Sequence, residues 1–176
     1  LVEELRTLRA LAHDPSPRGP FPKFSEPPDP AASQRISARA AYQAGNLREA
    51  LQSWIRQVGE PIGPMDLLML AELLAASGQA QALPMIEILE KNHPTEAVLL
   101  RSRYALAKGD VPTAIVALAD GLELLHTDAW AYQPLVHRSL QTAPSFSVQQ
   151  PTDAAILFDP LSRPFAVHLH DMERIE

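Results

Sequence analysis

Glycine recurs in the middle of this chain at a nearly constant spacing, because Gly45, Gly78 and Gly109 are 33 and 31 residues apart. Each glycine separates two stretches whose apolar residues recur at helical spacing. Glycine is common where a helix ends and the chain turns. A period of roughly 34 residues, in which a glycine turn joins two amphipathic helices, predicts an all-α chain of successive helix pairs.

Matching positions in the three units carry residues of the same kind. A small residue precedes each turn glycine by seven positions, an alanine marks the second helix, and a large apolar residue follows that alanine by four positions. Four residues make about one helical turn, so the alanine and the large apolar residue share a face. In the order of the units, these positions are Ala38, Ala71 and Ser102, then Ala50, Ala82 and Ala114, then Trp54, Ile86 and Leu118.

The three units resemble tetratricopeptide repeats, and the resemblance covers residues 31–126. It implies a solenoid of stacked helical hairpins, in which the small residue of each first helix packs closely against the second helix. Pro64 and Pro94 fall where linkers between such repeats commonly place a proline, which suits a helix start but breaks a helix interior. The aromatic residue usually found early in the first helix is replaced by Gln34, Leu67 and Val98.

The segments on the amino-terminal side of the repeats differ from them in composition. Residues 1–14 carry an apolar stripe of about three helical turns, which predicts an N-terminal helix. Residues 15–32 are rich in proline, with seven prolines between positions 15 and 30, and predict an extended spacer. The predicted helical domain, including a capping helix, then covers residues 33–143, and residues 144–176 form the tail.

The capping helix is expected beyond the last repeat, because a terminal unit of a solenoid must cover the apolar flank of its neighbour. Pro134 fits the first turn of a helix over residues 135–141. Trp130 and Tyr132 are candidates for the covering side chains.

The tail shows weaker patterns. Residues 142–152 have the composition of a loop, and the apolar runs 154–158 and 165–169 predict a short β-hairpin. On a strand, His168 and His170 would point to the same side, which could begin a metal site. A third ligand is not evident, so we predict no metal and no other cofactor, with a metal-binding enzyme fragment as an alternative.

The composition excludes several classes of protein. A net charge of −6 at pH 7 argues against nucleic acid as the main partner, because phosphate contacts need clustered Lys and Arg. The absence of cysteine excludes disulfides and thiolate chemistry, but it fits the cytoplasm and the periplasm equally well. The sequence contains no apolar run of about 18 residues, so it does not predict membrane insertion. Because the chain begins with neither methionine nor a signal peptide, we expect a piece of a longer protein. We also expect a bacterial-style protein.

No catalytic motif stands out in the sequence. We find no glycine-flanked serine, no phosphate-binding glycine loop and no HExxH motif. We therefore predict a non-enzymatic module that binds another protein or a peptide, and we consider a homo-oligomer compatible with this pattern. The alternative is a regulatory or oligomerisation domain of a larger enzyme or assembly.

The resemblance also implies where a partner would bind, because the first helices of such repeats line a concave groove. An apolar floor with charged flanks suits an amphipathic helix or an extended peptide. Some domains of this family bind a terminal carboxylate, but here Leu68 and Met69 replace an expected polar residue and Glu72 would repel that ligand. The implied groove residues are Arg35, Arg39, Tyr42, Met65, Leu68, Glu72, Glu96, Leu99, Arg103 and Leu106.

Overall fold

The computed structural model describes residues 30–56 and 60–166. Within these ranges every regular element is a helix and no strand is present, which confirms the all-α prediction. Three helix pairs come first, formed by α1 Pro30–Gln43 with α2 Leu47–Ile55, α3 Pro64–Ala76 with α4 Ala82–Glu90, and α5 Pro94–Ala107 with α6 Val111–Leu124. They are followed by α7 Gln133–Leu140, α8 Ala143–Gln149, α9 Pro151–Ala154, a 3₁₀ turn at Ala155–Leu157, and α10 Phe158–Ser162.

The turn inside each helix pair has the same backbone geometry. Gly45, Gly78 and Gly109 have φ angles of 81°, 65° and 77°, in the left-handed region that favours glycine. Each glycine N–H donates to the carbonyl three residues earlier, and the next N–H donates to the carbonyl five residues before it, at 2.9 to 3.0 Å. This arrangement is the Schellman motif. The period of the sequence is therefore also a period of the backbone.

The recurring small residues are buried in all three helix pairs. In the third pair, the Ser102 hydroxyl donates to the Ala114 carbonyl oxygen at 2.7 Å, which places α5 and α6 in direct contact. The corresponding alanines of the other two pairs are fully buried. The large apolar residues one turn further along are also buried, namely Trp54, Ile86 and Leu118. The small residue and the large apolar residue are therefore buried in all three pairs.

Each helix pair also packs against the next one. Helix α3 contacts both α1 and α5, and α4 contacts α5, so the first helices of successive pairs are neighbours. Pro64 and Pro94 begin α3 and α5, as predicted, since proline is tolerated in the first turn. Helix α7 packs on α5, and α8 packs on α6. One apolar core runs through all these elements.

The tail differs from its prediction, because α8 and α9 replace the expected loop and Ala154–Phe158 is helical. Pro151 begins α9 and Asp153 lies in its first turn, and both favour a helix start. Ala154 and Leu157 are buried and share a helical face, whereas Phe158 is exposed. A strand would have placed residues 154 and 157 on opposite sides. The predicted β-hairpin is therefore wrong for its first arm.

The first described helix begins slightly before the predicted end of the spacer. Helix α1 begins at Pro30, inside the range predicted as spacer, because proline fits a first helical turn. The predicted N-terminal helix, residues 15–29 of the spacer, and His168 and His170 lie outside the described residues. None of the described helices combines the length and apolarity needed to cross a bilayer.

Candidate functional site

The structure brings most of the predicted groove residues to adjoining faces of α1, α3 and α5. Arg35 and Arg39 of α1 both contact Asp66 of α3. Tyr42 of α1 and Arg103 of α5 both contact Glu72 of α3. The predicted residues of these three helices therefore meet through two acidic side chains on the middle helix.

Several predicted groove residues have little or no exposed surface in the structure. Leu68, Glu72, Glu96 and Leu99 are buried, with Glu72 and Leu99 fully so. Leu99 packs against α6, where a Cβ added to Gly121 would lie 2.6 Å from Leu99 Cδ2. The prediction that Leu99 faces a groove is therefore wrong, because it belongs to the core between α5 and α6. Arg103 and Leu106 border a small cavity of 130 Å³ on another part of the surface.

Glu72 is the centre of a buried polar cluster. Arg138 donates to it twice, from Nε to Oε1 at 2.8 Å and from Nη2 to Oε2 at 2.6 Å. The Tyr42 hydroxyl donates to Oε2 at 2.5 Å, and Arg103 Nε lies 3.4 Å from Oε1. Two guanidinium groups and one hydroxyl thus surround a single carboxylate. Burial of an acidic side chain on an apolar helix needs such partners.

The cluster shifts the pKa values of its members. Burial, followed by the negative charge of Glu72, strongly raises the pKa of the Tyr42 phenol. Burial lowers the pKa of Arg103, which the charge of Glu72 only partly opposes. Burial also opposes the charged form of Arg138, but the hydrogen bonds and the charge of Glu72 outweigh it and raise its pKa. Tyr42 is therefore a neutral hydrogen-bond donor in the folded protein, and the arginines carry the positive charge.

Asp66 forms a second cluster at the start of α3. Arg39 Nε donates to Oδ1 at 2.6 Å, and Arg35 Nε lies 3.4 Å from Oδ2. The Ile62 N–H donates to Oδ2 at 3.1 Å, which ties the loop before α3 to the same carboxylate. Arg35 also donates to the Glu60 carbonyl and lies over the Trp54 ring, with 5.7 Å between Cζ and the ring centroid. This cluster fixes α1 and the 60–63 loop on α3.

Helix α7 and the residues just before it cover part of the face made by α1, α3 and α5. The Tyr132 ring stacks on the Tyr42 ring, with centroids 6.1 Å apart and planes inclined by 6°. The Tyr132 N–H donates to Glu96 Oε1 at 2.9 Å, and Arg138 lies over the Tyr42 ring. The prediction that Tyr132 acts as a covering residue is consistent with these contacts. The chain thus fills much of the groove that the family resemblance implied.

The loop before α7 is fixed by Asp128. Its Oδ2 accepts a hydrogen bond from the Thr95 hydroxyl at 2.7 Å, and its Oδ1 accepts one from the Trp130 N–H at 3.0 Å. Thr95 is buried in the first turn of α5. Asp128 therefore ties the backbone of Trp130 to the helical core, while 77% of the Trp130 side chain remains exposed.

Two adjoining concavities remain open beside Tyr132. The larger, of 410 Å³, lies between the second half of α1 and the start of α3, and the smaller, of 140 Å³, lies between α3 and the loop before α7. They share Pro64, Met65 and Tyr132, and we call them together the trough. The other lining residues are Arg39, Tyr42, Gln43, Ile62 and Met69 in the larger concavity, and Leu68, Leu89, His93, Glu96 and Trp130 in the smaller.

No family model, curated protein or solved structure matches this chain significantly. The site must therefore be interpreted from its own geometry. Within residues 30–56 and 60–166, no group of three His, Asp or Glu side chains is arranged to bind a metal ion.

Sequence reasoning missed Asp66 and Arg138, which complete the two clusters. A signal for Asp66 was present, because α3 is apolar along almost its whole length and its two acidic residues, Asp66 and Glu72, need cationic partners if the helix is buried. The sequence gives no comparable signal for Arg138, since its partner lies 66 positions away.

Proposed function

We propose that this chain is a non-enzymatic protein-interaction domain of the tetratricopeptide-like helical-repeat kind, and that it binds an apolar segment of a partner protein in the trough. The main support for this proposal is the exposure of large apolar side chains around the trough. Ile62, Met65 and Trp130 are 65%, 46% and 77% exposed. Exposed apolar residues that surround a concavity are a common property of protein-binding surfaces.

The polar contacts beneath the trough support a preformed binding surface. Tyr132, which lines both concavities, is fixed by its stacking on Tyr42 and by the hydrogen bond from its N–H to Glu96. Asp66 connects the 60–63 loop to α3 and α1, and Asp128 connects the loop before α7 to α5. A surface that is already ordered loses less conformational entropy when a partner binds.

The dimensions and chemistry of the trough suit a peptide with apolar anchor residues. The larger concavity lies within the range of about 300 to 1,000 Å³ found for ligand pockets, and the smaller one can admit a single side chain. Apolar side chains one helical turn apart, or alternate side chains of an extended segment, could enter the two concavities together. Arg39, Gln43 and His93 supply polar groups at the edges.

Selection of peptides on the purified full chain tests the proposal. Short random peptides are displayed and selected, and the affinities of the best binders are measured by fluorescence anisotropy. We expect Met65→Glu to weaken binding at least tenfold, because a charge replaces the apolar floor. Val116→Glu is the matched control, since Val116 is 52% exposed on α6 and lines neither concavity. Equal binding by wild type and Met65→Glu would contradict the proposal.

The same samples distinguish a partner protein from a second copy of this chain. Light scattering gives the mass in solution, and circular dichroism checks that each variant remains helical. We expect wild type and Met65→Glu to have the same mass. A wild-type dimer that Met65→Glu dissociates would show that the trough is a self-association surface instead.

A further inference from the structure

Asp66 is paired with more positive charge than it can neutralise. Its carboxylate is fully buried and contacts both Arg35 and Arg39, so one negative charge faces two guanidinium groups. The remaining ligand of the carboxylate is a neutral backbone N–H, from Ile62. A net positive charge therefore remains beside the larger concavity of the trough.

The two arginines differ in how their remaining donors are used. The side chain of Arg35 is only 17% exposed, and its Nη2 donates to the Glu60 carbonyl. The side chain of Arg39 is 46% exposed and lines the larger concavity. Among the described residues, its two terminal nitrogens have no hydrogen-bond partner. The excess charge is thus presented to the trough by Arg39.

Asp66 also fixes the direction of Arg39. The Nε–H donates to Asp66 Oδ1 at 2.6 Å, which leaves the opposite edge of the guanidinium to face outward. Gln43 lies one helical turn further along α1, lines the same concavity and is exposed. An oriented guanidinium and an amide at this spacing are suitable donors for a carboxylate.

Charge complementarity selects the partner. The residues lining the larger concavity, all within the described ranges, include no acidic side chain. The acidic residue of the smaller concavity, Glu96, is buried and accepts a hydrogen bond from the Tyr132 N–H. The α1 end of the trough is therefore its positively charged end.

We propose that the bound partner segment carries an acidic side chain next to its apolar anchor residue, with the anchor on Met65 and the carboxylate on Arg39. This inference rests on the proposed function and names the chemistry of the ligand. We assign the carboxylate to an internal Asp or Glu of the segment, because Met65 lines both concavities and a segment anchored on it can continue from one into the other.

The probes are peptides selected on the wild-type full chain from a library with one fixed leucine and random flanking positions. We expect Asp and Glu to be enriched beside the leucine, and the binding of such peptides to weaken as salt rises. Arg39→Gln should weaken their binding about tenfold, and Arg39→Lys should weaken it less, because lysine keeps the charge but loses the planar fork. Arg48→Gln, an exposed change on α2, should have no effect.

Three outcomes would overturn the inference while the proposed function remains. The first is that peptides that bind wild type but not Met65→Glu show no enrichment of acidic residues. The second is that folded Arg39→Gln and wild type bind these peptides with equal affinity. The third is that amidation of the peptide C-terminus abolishes binding, which would assign the carboxylate to the chain end. If Arg39→Gln unfolds, the inference is tested with Arg39→Lys instead. Affinities equal to those of wild type at both low and high salt would then overturn it. Peptides that bind Met65→Glu as well as wild type would instead contradict the proposed function itself.

Discussion

Arg138 of α7 donates two hydrogen bonds to Glu72 of α3, at 2.8 and 2.6 Å, although the two residues are 66 positions apart in the chain. Tyr42 of α1 donates to the same carboxylate, and Arg103 of α5 lies 3.4 Å from it. One fully buried acidic group therefore connects four helices. It fixes α7 over the face on which the trough lies.

We expect Arg138→Met to lower the free energy of unfolding by about 3 kcal/mol, because it leaves the buried Glu72 without its bidentate partner. Methionine keeps most of the apolar contact of the arginine stem. Urea unfolding followed by circular dichroism measures the loss. The matched control is Arg163→Met, which removes an arginine that is 45% exposed and paired with Glu123 and Asp159. It should lower the free energy of unfolding by less than about 1 kcal/mol. Equal losses for the two variants would contradict the role given to Glu72.

Tyr42→Phe should change how stability depends on pH. Burial and the charge of Glu72 raise the pKa of Tyr42 in the folded state, whereas an unfolded tyrosine ionises near pH 10. The stabilisation from this group is therefore complete below about pH 10 and declines as the pH rises above that value. Near neutral pH, the free energy of unfolding of wild type should exceed that of Tyr42→Phe by about 2 kcal/mol. This difference should narrow above about pH 10. Urea unfolding over this range measures it, and a constant difference would show that Tyr42 titrates normally.

The small residues inside the helix pairs give a test of close packing. Ala38 is fully buried in α1, and Ala40 is exposed in the same helix. We expect Ala38→Leu to destabilise the protein by about 1 to 3 kcal/mol, because Ala38 has no exposed surface and the added atoms must displace their packed neighbours. Ala40→Leu should change stability by less than about 0.5 kcal/mol. Thermal unfolding of both variants checks this, and similar melting temperatures would argue against a close contact at Ala38.

The parts of the fold that could be predicted are those set by residues close together in sequence. Gly45, Gly78 and Gly109 each end a helix through contacts within six residues, so their role is readable from the local sequence. The burial of Ala50 and Trp54 follows from their spacing on one helical face. These local rules recover the three helix pairs and their inner packing.

The parts that could not be predicted depend on distant partners or on ambiguous patterns. Arg138 and Glu72 give no local indication that they meet, and Leu99 has the spacing of a groove residue although it packs on α6. The short apolar run 154–158 fits a strand or a buried helix equally well, and only the burial of Ala154 and Leu157 distinguishes them. The trough itself arises from α1, α3 and the loop before α7, which no single segment encodes.

Amide hydrogen exchange of the full chain, alone and with a selected peptide, tests the central claim most directly. If the partner segment binds in the trough, exchange should slow in residues 39–46, 60–69 and 128–133, and it should remain unchanged in α6 and α8. Slower exchange confined to α6, α8 or the tail helices would show that the peptide binds elsewhere, and the assignment of the trough as the binding site would be wrong.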